Sequence, residues 1–255
     1  MKTNSIFSFR RLYLLLRRQL LSNASAWLIA FGAVAGSLLV LSLLVAYFQP
    51  ANLAALTGLY FTVMFIGGYI FTSNIFGELH HAQRSYQYLT LPVSTTERLF
   101  SAWIITAIVF PVIAVLSMAL IVLIANLVMN FTFDVTPFQS VFSKGSWTSV
   151  KVYMVTQSVF LLGAAYFRKN NFLKTVLALF VVSVIFQIVI VTTAYFVFSP
   201  FAEEGAFNIG PQHMSQQMEN VFLTHVPATA RVIFWYLTIP FFLIVTWFSL
   251  KERQV

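Results

Sequence analysis

A histidine pair, a glutamate pair and a band of arginines near the N-terminus hold much of the reactive chemistry in this sequence. His80 and His81 invite a metal reading, but helix neighbours point about 100° apart. They cannot chelate together as the i, i+4 pair of H-E-x-x-H does. Glu203-Glu204 does not continue as E-E-x-x-x-R, because position 208 is Asn208. The chain has no cysteine, which removes disulfides, thiolate metal sites and cysteine nucleophiles. It also lacks a G-x-S-x-G elbow, a P-loop and a G-x-G-x-x-G run. No catalytic, cofactor-binding or metal-ligating residue is expected.

The elements that carry these residues are dictated by composition. Of 255 residues, 59% are hydrophobic and 9% are charged, with a mean hydropathy of +0.84. A soluble domain carries about 25% charged residues, so the solvent for most of this chain is lipid. Six apolar segments are long enough to span a bilayer: 26–48, 53–76, 100–129, 148–167, 172–198 and 229–250. The expected fold is an all-α integral membrane protein, with a cytoplasmic amphipathic helix in 1–25 and a six-helix membrane domain in 26–255. Pro111 marks a place for a kink in the long third span. The net charge of +8 does not indicate nucleic acid, because the basic residues sit beside apolar spans and form no patch interleaved with aromatics.

No charge lies in the middle of any span. The polar residues there are neutral: Asn126, Gln157, Gln187 and the pair Thr192-Thr193. They are candidates for a substrate path or for helix packing. A proton-coupled carrier would place an ionisable group at mid-depth, so any transport draws its energy from elsewhere.

The loops set the orientation. Lys144, Lys151 and Arg231 fall on one side, and the other twelve basic residues fall on the side of both termini. The positive-inside rule assigns that side to the cytoplasm. Residues 5–22 read as an interfacial helix. Arg10 and Arg17, like Arg11 and Arg18, are seven apart and share a side, with Phe9, Leu12, Leu16 and Leu20 opposite. Its arginines would lie near anionic headgroups. Its apolar core, Leu12 to Leu16, is too short for a signal peptide, so the segment is expected to be retained. Gly32 and Gly36 form a G-x-x-x-G pair suited to close helix contact, either within the chain or with a second copy.

The polar stretch between the second and third spans, residues 77–99, is patterned. Leu79, Ala82, Tyr86 and Leu89 recur at helical spacing, with His81, Arg84 and Tyr88 on other faces. Leu91-Pro92 ends that helix, and Ser94-Thr95-Thr96-Glu97 is an S-x-x-E capping box that starts the next one. An ordered cytoplasmic protrusion is expected. The long segment 199–228 on the far side is expected to cover the bundle or to dip into the outer leaflet.

Glu78, Arg84, "YLTLPVS" from Tyr88 to Ser94, and Glu97 together resemble the loop between the first two hairpins of type-2 ABC transporter permeases. Arg84-Ser85 stand where many members have Gly-Thr, and Ala102-Trp103 where many have a lysine. The resemblance implies a dimer of six-span units in the bacterial plasma (inner) membrane that exports its substrate. A helix at 78–89 would be the coupling helix, with Glu78, His81, Arg84, Tyr88 and Glu97 contacting a separate ATPase subunit. Residues 5–22 would be the connecting helix, and Arg168 to Lys174 a smaller second contact. ATP and Mg would bind the ATPase and not this chain, and the second permease would be an identical copy or a paralogue. Two other classes fit the same spans: a membrane assembly or sensor protein, and a self-powered carrier.

Overall fold

The computed structural model describes residues 7–22, 24–48, 53–80, 92–132, 143–198 and 224–252. Every regular element among them is helical. In order they are α1 (Phe9–Ser22), α2 (Ala24–Phe48), α3 (Leu53–Asn74) and α4 (Gly77–His80). Then α5 (Thr95–Ile104) runs through a π-helical turn (Ile105–Val109) into α6 (Phe110–Thr132). After α7 (Lys144–Tyr166) and α8 (Asn171–Phe198), α9 (Val226–Val232) continues through a second π turn (Ile233–Leu237) into α10 (Thr238–Glu252). Helices suit a chain this apolar, because each one satisfies its own backbone where lipid offers no hydrogen bonds.

Among the described residues, five stretches are long and apolar enough to cross a membrane: Ala24–Phe48, Leu56–Leu79, Thr95–Val128, Asn171–Phe196 and Val226–Glu252. The chain is thus a multi-pass membrane protein, helical throughout its described regular elements. The remaining expected span, 148–167, lies in α7. That helix has 23 residues, about 34 Å of rise, but its composition is too polar to mark it as a span. Its place in the bundle accounts for this. α7 packs against α3, α8, α10 and the first π turn, and Tyr153, Gln157, Ser158, Leu161 and Ala164 are fully buried on it. An enclosed helix is not required to be greasy on every side.

One core, built by α2, α3, α6 and α7, centres on Tyr60, Met64, Phe110, Met118 and Tyr153. Gly68 is essential to it, because a Cβ there would land in the Tyr153 ring. A second core joins Phe76, Leu99, Ala102, Leu161, Ala164 and Leu250. It brings together the end of α3, the start of α5 and the ends of α7 and α10. Asn171 tightens the same end, its Nδ2 donating to the Ser73 carbonyl at 3.2 Å and lying 3.5 Å from that of Ala164. Most of the described basic residues collect here.

The expected kink at Pro111 takes a specific form. The Phe110 amide donates to the Ile105 carbonyl, five residues back, and Pro111 has no amide to give. The Thr106 carbonyl is therefore left without a backbone partner, and the Tyr153 hydroxyl donates to it at 3.2 Å. The second π turn likewise ends just ahead of a proline, Pro240.

Two elements meet little of the bundle. Beyond Thr175, α8 is exposed nearly all round. Gly32 and Gly36 on α2 are exposed, and nothing in the chain lies within 4 Å of a Cβ placed on either. Close packing within the chain is therefore not their role among the described residues.

Candidate functional site

The polar stretch 77–99 is held at both ends by α1. The capping box at its far end is complete. The Glu97 amide donates to Ser94 Oγ at 3.2 Å, and the Ser94 amide donates to Glu97 Oε2 at 2.9 Å. Local sequence is enough to build this much.

Glu97 then does more than cap. Its Oε1 accepts from the Ser8 amide at 2.7 Å and from Arg11 Nε at 3.1 Å, with Arg11 Nη2 at 3.0 Å. Ser8 stands at the start of α1, where its carbonyl accepts from the Leu12 amide. One carboxylate thus sits at the N-termini of two helices, α1 and α5, where a negative charge is favoured. Glu97 has no exposed surface, and Arg98 beside it is also buried. An edge-to-face contact between Phe7 and Phe100 adds an apolar contact at the same joint.

Two turns along α1, Arg18 pairs with Glu78 at 3.6 Å. Both side chains are over a third exposed there, so this pair contributes little stability by itself. Its value is positional. Arg11 and Arg18 lie about 10 Å apart along a rigid helix, and each holds one end of the intervening stretch.

These contacts correct the expected disposition of α1. The buried positions are Leu12 and Leu15, with Leu16 partly covered, whereas Phe9 is 80% exposed. Arg11 and Arg18 turn to glutamates of this chain, and Arg10 and Arg17 face outward. Glu97, expected to touch a partner, is enclosed by its own chain. Of the other expected contacts, Glu78 is partly exposed on α4. His81, Arg84 and Tyr88 lie outside the described residues, as do most of the helix expected at 78–89 and residues 199–223 of the outer segment.

The neutral polar residues divide. Gln157 is fully buried and accepts from Thr106 Oγ1 at 3.1 Å, linking α7 to the first π turn. Asn126 is half-buried on α6, and Gln187 and Thr192 are exposed on α8. They do not form one path in the chain. Neighbouring links that the spacing did not single out are Tyr69 with Thr156, which share a hydrogen bond at 2.6 Å, and Ser42 with Tyr60. A period-four polar pattern on α7, Ser149-Tyr153-Gln157, signals the links of Tyr153 and Gln157 to Thr106 but not these two pairs. No group of three or more metal-ligating side chains occurs among the described residues. Set against protein-family models, curated proteins and solved structures, the chain matches none of them.

Proposed function

We propose that this chain is the membrane-spanning permease subunit of an ATP-driven exporter, of the kind its 77–99 stretch resembles. The observation that carries the reading is the double clamp of Arg11 on Glu97 and Arg18 on Glu78. A protrusion tied at both ends to one helix transmits a push, where a slack linker would absorb it. A separate ATPase subunit seats on the protrusion through Glu78, His81, Arg84 and Tyr88. Glu97 serves as a positioning residue behind that surface. Closure of the ATPase on ATP and Mg moves the protrusion, and the capped start of α5 carries the motion into the membrane. The π turn at Thr106 gives that rod a joint about three turns further along. Alternating access of the six helices, α7 included, then follows from rocking against a second permease.

Other features support the arrangement. The end of the bundle rich in arginine and lysine is the cytoplasmic one by the positive-inside rule, which sets both termini inside a bacterial plasma membrane. The uncharged spans suit a subunit whose energy comes from another chain. Exposed Gln187 and Thr192 are unfavourable against lipid and favourable against a second copy.

The reading is tested by purifying the chain from native membranes. A P-loop ATPase is expected to accompany it, and Glu78→Ala or Arg84→Ala should lower the bound ATPase roughly tenfold. A chain that purifies in functional form with no ATPase would overturn the reading.

A further inference from the structure

Two cavities of different character share Asn74 in their linings. The first, about 440 Å³, is an apolar groove between α2, α3 and α6. It runs from Trp27 at the basic end to Leu38, a rise of about 16 Å. That is close to one leaflet of a hydrocarbon core about 30 Å thick. Gly67 keeps the groove open, since nothing lies within 4 Å of a Cβ placed there. The second cavity, about 310 Å³, lies across the end of α3 and is lined by Asn74, Arg168, Lys169 and Asn170.

The charges of the second cavity have no acidic partner among the described residues. Arg168 and Lys169 are exposed and form no ion pair among the described residues. Nearby Lys174 is directed elsewhere, 5.9 Å from the centre of the Phe167 ring. The turn is fixed in place: Asn170 has a φ of 54°, and Asn171 anchors the start of α8 to α3. A basic pocket at a helix-bundle end attracts anionic headgroups, and an adjoining groove of leaflet depth suits an acyl chain.

We propose that these cavities form one site for an anionic phospholipid. The phosphate sits at Arg168 and Lys169, and one acyl chain lies in the α2–α3–α6 groove. The site overlaps the smaller second contact that the resemblance implies at Arg168 to Lys174, and the lipid proposal does not depend on the exporter reading.

The test is native mass spectrometry of the full chain in detergent, titrated with phosphatidylglycerol or phosphatidylcholine of identical chains. Phosphatidylglycerol should bind the more tightly. Arg168→Gln with Lys169→Gln should reduce that preference roughly 20-fold, without altering the melting temperature in phosphatidylcholine. Gly67→Leu, which fills the groove, should weaken both lipids. Equal binding of the two lipids by the unaltered chain would overturn the proposal. So would displacement of phosphatidylglycerol by inorganic phosphate at similar concentration, which would indicate a free-anion site. A double variant that binds lipid normally but loses an ATPase partner would also overturn it, marking the turn as a protein contact. Because the binding assay uses the chain alone, its failure leaves the exporter reading standing.

Discussion

Glu97 concentrates the residue-scale energetics. It is fully buried, and its carboxylate is shared by the Ser94 and Ser8 amides and the Arg11 guanidinium. Arg11 stays 31% exposed and can rehydrate, so removing Glu97 costs its cap and its charge-assisted hydrogen bonds, about 3 kcal/mol in all. Glu97→Ala should therefore lower stability in detergent by that amount. Glu97→Gln keeps a side chain able to complete the capping box but gives up the charge. Its loss should be smaller, about 2 kcal/mol. Thermal melts of the two variants separate the contributions: no loss in Glu97→Gln would mean that the pairing with Arg11 contributes nothing beyond the cap.

At the scale of the element, the joint between α5 and α6 yields a sharper expectation. The Thr106 carbonyl depends on the Tyr153 hydroxyl only because Phe110 bonds to Ile105 and Pro111 has no amide. Tyr153→Phe should cost about 1–3 kcal/mol, the penalty of an unsatisfied buried carbonyl. In a Pro111→Ala background, the new amide can serve that carbonyl, and Tyr153→Phe should cost clearly less. A double-mutant cycle by chemical denaturation measures the difference, and additive losses would reject this explanation of the π turn. Such elements differ in how far sequence foretells them. The capping box was legible because its partners are three residues apart. The apolar spans were legible because lipid imposes their length. The pairing of Arg11 with Glu97 was not, since it joins positions 86 apart in sequence and a basic helix flank reads equally well as a headgroup anchor. The moderate polarity of α7 carried a signal of enclosure that hydropathy alone reads as a weaker span.

For the whole molecule, the account requires a second permease and an ATPase. α8 projects Gln187 and Thr192 outward with almost no cover from its own chain. The absence of cysteine makes single-cysteine chemistry clean. Gln187→Cys treated with a flexible bismaleimide in native membranes should give a species of twice the mass if the partner is a second copy. Monomer alone would argue against an identical partner. The ATPase claim is tested most directly on the 77–99 stretch itself. Ser85→Cys, labelled with a maleimide photocross-linker and irradiated in native membranes, should join this chain to a P-loop ATPase identified by mass spectrometry. Efficient cross-linking to lipid or to this chain's own helices, with no ATPase product, would contradict the account.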